Sequence, residues 1–344
     1  MILLQREPIH VCLLPPGKII VEPILVFLIL TALVLPSCSN EISSKTRKYM
    51  QPIKVAWCQW PGWYPMAIAK EKGLFEKHGA HIEPIFYSTY VQILPDIGAG
   101  ELGGGCMGLY EALKSGLPNL RVVMATDFSK GAEGLIALPD IDGPKDLIGK
   151  RVGTQGSLSG SEFILTTYLR RAGQDGRELS LIDVPIELVI DKMSSGSIQA
   201  GYTWNPFLAL AEANGYHVLF TTADTPGMIL DVVCFTEDVV KKRHDDIRGF
   251  VAAWFEALDF WLRHPEEATR IIADAVGKRP KEVSLAGCDL LNLEDNQLLF
   301  SSEKDSIYDI ATAQINFFIN LGDASSAPNP KDMIDGGFVL NRNR

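Results

Sequence analysis

Beyond residue 52 the chain alternates short apolar runs with stretches whose apolar positions recur every three or four residues. Such alternation predicts strands interleaved with helices, an α/β protein. IKVAW (53–57), HIEPIFY (81–87), NLRVVMAT (119–126) and GLIAL (134–138) read as strands. PMAIAKEKGLFEKHG (65–79) reads as a helix with Pro65 at a tolerated first position, interrupted or ended near Gly73. A short helix is expected within 91–101, and 142–154 reads as a turn, a short helix and a strand. The small-residue loop and helix of 156–173 follow, then 187–204, 216–222 and MILDVVCF (228–235). Residues 246–277 are strongly helical, and Trp254 and Trp261, seven apart, share one face and are expected in the core.

The first fifty residues have another pattern. ILVFLILTALVL (24–35) is an apolar run followed by PSCSN. A membrane-spanning helix needs about 20 apolar residues, so the run fits a secretory signal better. Leu35-Pro36-Ser37-Cys38 resembles a bacterial lipobox, with Pro36 as a departure. The expectation is a signal peptide over 1–37, lipidation at Cys38 and a flexible tether over 38–52. The alternatives are a later translation start near Val21 and an uncleaved anchor.

Composition narrows the function. A formal net charge of −10 argues against a nucleic-acid partner. No P-loop, GxGxxG, HExxH or zinc-spaced Cys pair occurs, so no cofactor or metal is expected. Cys58, Cys106, Cys234 and Cys288 allow three pairings that spacing does not separate, and buried free thiols are the simpler expectation.

Open α/β sheets bind ligands beyond the carboxyl ends of their strands. That rule selects the loop Cys58–Tyr64, with Gln59, Trp60, Trp63 and Tyr64. It also selects Tyr87–Thr89 with Ser88, Asp127–Gly131 with Asp127 and Ser129, and Thr154–Ser161. In the last, Gln155, Ser157, Ser159 and Ser161 precede a helix whose N-terminus favours anions. A serine there can equally be a helix cap. Asp127 has the opposite sign and suits an amine or amidine, or else caps a turn. Aromatic faces suit a flat heterocycle or a cation, and a zwitterion satisfies both the aromatic–acidic and the serine loops.

Six phrases in order carry a family resemblance: AIAKEKGLFEKHG (67–79), IGAGELGGGCMGLYEALKSGLP (97–118), VVMATDFSKGAEGLIAL (122–138), KDLIGKRVGTQGSLSGSEFILTTYLRRAG (145–173), SGSIQAGYTWNPF (195–207) and HPEEA (264–268). They resemble the solute-binding proteins of ABC importers for nitrate, sulfonates, taurine and thiamine precursors. Gly103 and Gln199 stand where that family usually has Asp. The resemblance implies a two-lobe periplasmic-binding-protein fold of the second type. Lobe one would be 53–136 plus 235–344 and lobe two 137–234, with GLIAL and ILDVVCF as crossovers. It adds Tyr110, Trp204 and Asn205 to the candidate cleft, with Trp204 as a wall opposite the first loop and Trp63 as a ligand contact, while Asp231 on the second crossover is either a hinge-capping residue or a ligand acceptor. The implied function is extracytoplasmic capture of a small organic solute by hinge closure. The implied partners are an ABC permease and its ATPase, with the protein a monomer held on a bacterial membrane by lipid alone, outside the cytoplasm. Alternatives are a thiamine-precursor or menaquinone-pathway enzyme of this fold, or a ligand-sensing lipoprotein. The CCCFC motif of fungal thiamine-pyrimidine synthases is absent, and an export signal argues against a cytosolic pathway.

Overall fold

Two sheets organise the chain. A computed structural model describes residues 51–117, 119–156, 159–174, 178–320 and 328–340. The expected leader, Cys38 and all but the end of the tether lie outside these residues. The strands are β1 (Ile53–Trp57), β2 (Ile82–Phe86), β3 (Gly104–Gly108), β4 (Leu120–Ser129), β5 (Glu133–Ala137), β6 (Arg151–Thr154), β7 (Ser180–Asp183), β8 (Ala200–Trp204), β9 (His217–Thr221), β10 (Leu230–Thr236) and β11 (Cys288–Leu290). The first sheet has the order β11-β4-β10-β3-β1-β2 and the second β7-β6-β8-β5-β9.

Both sheets share one plan. In the first, β1, β2 and β3 run parallel and β10 enters antiparallel beside β3. In the second, β6, β7 and β8 run parallel and β5 enters antiparallel beside β8. The chain passes between sheets over residues 130–132 and returns over 222–229. The expected lobe borders at 136/137 and 234/235 fall inside β5 and β10, which belong whole to the second and the first sheet. Each inserted strand thus carries residues from the crossing directly into a sheet centre.

The crossings are bonded together. Ser129 and Thr222 hydroxyls lie 2.8 Å apart, and the Gly131 amide donates to Thr222 Oγ1 at 2.7 Å. Ser129, a candidate ligand group in the sequence, is fully buried and spent on this hinge contact.

β3, GGCMG, carries no strand propensity, and the sequence pattern does not reveal it. Its glycines are there for space: a Cβ at Gly104 would overlap the Cys234 carbonyl and the Phe235 ring on β10. The helix His244–Arg263 buries Ile247, Phe250, Val251, Trp254, Leu258 and Trp261 on one stripe, and Phe75 stacks on Phe250 at 5.6 Å. The continuous helical pattern of 246–277 is divided at His264, where Pro265 begins a second helix. Among the described residues no helix is long and apolar enough to cross a membrane.

Candidate functional site

β10 lies in the centre of the first sheet, where its register sets Asp231 opposite Asp127 on β4 and Gly108 on β3. Asp127 therefore belongs to a buried strand, not to the loop that the sequence pattern suggests. Trp60 Nε1 donates to its Oδ1 at 3.1 Å and its Oδ2 at 3.3 Å, and Thr126 Oγ1 donates to Oδ2 at 2.8 Å. Gly62 must be glycine here, because a Cβ would overlap the Asp127 carboxylate. This close approach fixes the turn Pro61–Trp63 against β4, with Trp60 and Trp63 on the cleft side.

Burial pushes the carboxyl of Asp127 above its ordinary range, against the hydrogen bonds from Thr126 and Trp60. Burial also pushes Asp231 well above the ordinary carboxylate range, reinforced by the charges of Asp127, Glu133 and Glu111. Glu133, at the start of β5, is raised to about 8, again chiefly by burial. Glu111 is also raised by burial, partly offset by the Gly160 amide, which donates to it.

These groups surround a cavity between the sheets with a solvent-accessible volume of about 40 Å³. Space for about three waters follows from that volume. Trp60, Trp63, Tyr90, Tyr110, Tyr202 and Trp204 supply its aromatic lining; Glu111, Glu133, Gln155, Asp231 and Gln314 supply polar groups. The rings touch across the cleft: Trp204 meets Trp60 edge-on at 6.0 Å and Tyr90 at 5.7 Å, while Trp63 lies 5.6 Å from Tyr90. Four buried atoms of this lining have no hydrogen-bond partner: Trp63 Nε1, Trp204 Nε1, Asp231 Oδ2 and Gln314 Oε1. Two donors and two acceptors are thus left for a solute. Among the described residues none that lines the cavity is basic.

Of the sequence candidates, Trp60, Trp63, Tyr110, Gln155, Trp204 and Asp231 meet at this cavity. Others lie elsewhere. Tyr64 packs on Trp261 at 6.0 Å and donates to the Gln59 carbonyl at 3.2 Å, so both serve the core side of the loop. Ser88 is exposed. Asn205 Nδ2 donates to the Ala286 carbonyl at 3.1 Å, outside the cavity. Ser157 lies outside the described residues.

The expected anion site before the helix Gly160–Arg171 is already filled by the protein. Ser159 caps the helix, accepting from the Glu162 amide at 3.2 Å. Ser161 Oγ accepts from the Gln155 amide at 2.9 Å and lies 2.6 Å from Ser159 Oγ. Glu111, reaching across from the helix Leu109–Lys114, accepts from Gly160 and takes the place an anionic ligand would occupy.

Sequence reasoning missed Tyr90, Glu111, Glu133, Tyr202 and Gln314. One signal was available. Gln314 is a polar position in the buried stripe Ile307, Ala311, Ile315, Phe318 of the helix Ile307–Asn320. Glu133 stands just before the apolar run GLIAL, but only the sheet order shows that it faces Trp204 on β8.

Cys58, Cys106, Cys234 and Cys288 are free. Burial raises all four thiols well above their ordinary range, which disfavours the nucleophilic thiolate.

Residues 48–277 match the NMT1-like family. The taurine-binding periplasmic protein of Escherichia coli is 22% identical over 60% of this chain and 68% of its own length. The formylaminopyrimidine-binding protein of Halalkalibacterium halodurans is 22% identical over 72% of this chain and 77% of its own. Among solved structures, the ligand-binding component of an ABC-type import system from Staphylococcus aureus superposes with a TM-score of 0.70. It covers 86% of this chain and 100% of its own at 13% identity. The desulfurization enzyme DSZB superposes at 0.59, with 17% identity over 85% of this chain and 99% of its own. The fold is that of periplasmic binding proteins.

Proposed function

The chain belongs to the NMT1-like family, and from that premise we propose that it is the solute-binding component of an ABC importer. It captures a small organic solute between its two sheets and presents it to a permease and its ATPase. The observation that carries the reading is the cavity lined from both sheets, with two donors and two acceptors buried and unpaired. Unpaired buried groups cost about 1–3 kcal/mol each, and a solute that satisfies them recovers that cost. The taurine-binding and formylaminopyrimidine-binding relatives support a small organic solute. The aromatic lining favours a flat or apolar frame over bare nitrate or bicarbonate.

Capture proceeds by parting and closing of the lobes about residues 130–132 and 222–229. In the closed form the rings of Trp60, Tyr90 and Trp204 fill the cleft themselves. A solute therefore enters by separating Trp204 from the first lobe. The protein acts outside the cytoplasm as a monomer, tethered by a lipid on Cys38. It binds its solute without transforming it, a reading supported by the taurine-binding and formylaminopyrimidine-binding relatives.

A thermal-denaturation screen of the full chain against taurine, alkanesulfonates, nitrate, bicarbonate, pyrimidine precursors and small amines tests the reading. A solute at 100 times its dissociation constant adds about 2.7 kcal/mol of stability. No stabilisation by any member would overturn the proposal for these solute classes.

A further inference from the structure

We infer that the cleft takes a small organic cation, an ammonium or amidinium on a compact frame, and that capturing it releases a proton from the buried carboxylates. The inference deepens the solute-binding reading and rests on it.

Geometry supplies the first argument. Asp231 Oδ2 and Gln314 Oε1 line the cavity without partners, and their residues are only 5% and 2% exposed. The Gln314 amide is oriented by its Nε2, which donates to the Met228 carbonyl at 3.1 Å, so the oxygen is the atom left over. Paired acceptors of this kind call for a ligand with several N–H donors. A charged nitrogen satisfies them best, because charge-assisted bonds are roughly twice as strong as neutral ones. The rings of Trp60, Trp63 and Trp204 around it favour a cation over an anion through their negative faces.

The second argument is charge. Glu111, Glu133 and Asp231 line the cavity, Asp127 lies beneath Trp60, and among the described residues none of the lining is basic. A sulfonate or nitrate would oppose ionisation of these acids rather than balance it, and the helix N-terminus that could hold it is taken by Glu111. Among the described residues no group of three His, Cys, Asp or Glu is arranged to hold a metal ion. The charge to be matched is that of an organic group.

The third argument concerns protons. Asp127 and Asp231 face each other across paired strands, so ionising both without a counter-charge is unfavourable. The groups acting on this pair are themselves acids: Glu133 from β5, Glu111 from the helix Leu109–Lys114, and Asp289 from β11. The thiols Cys58, Cys106 and Cys288 and the Tyr90 phenol also feel it, while Gln314 from the helix Ile307–Asn320 is neutral. Lys114 acts on Glu111. The empty site therefore retains protons at neutral pH. When the cation binds, a carboxyl O–H ionises, the proton passes to solvent, and the net charge of the site is unchanged. Affinity then falls by up to about tenfold for each pH unit below the site's midpoint.

Isothermal titration of the purified full chain tests this, using benzamidinium and phenethylammonium against neutral benzamide and anionic ethanesulfonate. Titrations at pH 6 and 8, each in two buffers of different ionisation heat, count the protons released. The expected result is binding of a cation alone, at least tenfold tighter at pH 8, with close to one proton released at pH 6. Asp231→Asn should weaken it at least tenfold and remove the proton release, while melting no lower than the parent at pH 8. Gln314→Leu should weaken binding yet keep the release. Preference for ethanesulfonate or benzamide would overturn the cation class and leave the solute-binding reading standing, as would cation binding independent of pH. Silence toward all four probes would overturn the cation class; silence in the wider stability screen as well would overturn both.

Discussion

The two walls of the cleft both carry polar side chains, but they differ in how many are left to spare. In the second lobe Ser159, Ser161 and the amides of Gln155, Gly160 and Glu162 are bonded to one another or to Glu111. In the wall built on β10, the loop after β1 and the helix Ile307–Asn320, Trp63 Nε1, Asp231 Oδ2 and Gln314 Oε1 remain unpaired. Trp204 Nε1 joins them from the far side. The difference shows that hydroxyl-rich and glycine-rich sequence signals a site only when the local fold leaves those groups unspent. A serine loop can finish its own hydrogen bonding; a tryptophan pressed against tyrosine and tryptophan cannot.

The sharpest way to break the comparison is Trp63→Ala. Removing a side chain only 2% exposed should cost about 3–5 kcal/mol of stability and abolish solute binding, read by denaturant unfolding and titration. Gly62→Ala follows: its methyl overlaps the Asp127 carboxylate and should cost about 1–3 kcal/mol while displacing Trp60. Retained stability there would show that the Trp60–Asp127 contact is dispensable.

The acidic wall also predicts a pH dependence of folding. Between the ordinary carboxylate range near 4 and the value of about 8 at Glu133, the folded protein holds protons that the unfolded chain has lost. Stability of the empty protein should therefore fall as pH rises from about 5 to 8, and Asp231→Asn should flatten the decline. A melting temperature that rises over this interval would contradict the buried acidic cluster. The smallest effect belongs to the other wall: Ser159→Ala should cost about 1 kcal/mol, the usual value of a helix cap, and leave affinity unchanged.

Much of the fold was legible in the sequence because it rests on periodicity. The strands around Val55 and Val123 and the stripe through Trp254 and Trp261 follow from apolar spacing alone. What was illegible depends on which strand lies beside which. β3 is rich in glycine, which strands disfavour, and only its neighbours explain it: the Cys234 carbonyl and Phe235 against Gly104, Ile93 and Ala56 against Gly105. Asp127 read as a loop residue because its strand continues past the apolar run, through Ser129. The aromatic half of the site was visible as the cluster Trp60, Trp63, Tyr64, although Tyr64 turns to the core and meets Trp261. Of the acidic half, Asp127 and Asp231 were candidates while Glu111 and Glu133 were not, since the four come from separate elements that only the crossing strands bring together.

The most direct test follows tryptophan emission while the full chain is titrated with a solute that stabilises it. Trp60, Trp63 and Trp204, half of the chain's six tryptophans, line the cavity, so binding there must perturb them. The account predicts a saturable change in the parent. It predicts at least tenfold weaker affinity in Gln314→Leu, which loses the unpaired acceptor Oε1, and parent affinity in Ser159→Ala. Undiminished affinity in Gln314→Leu together with a loss in Ser159→Ala would place the solute at the opposite wall and contradict it.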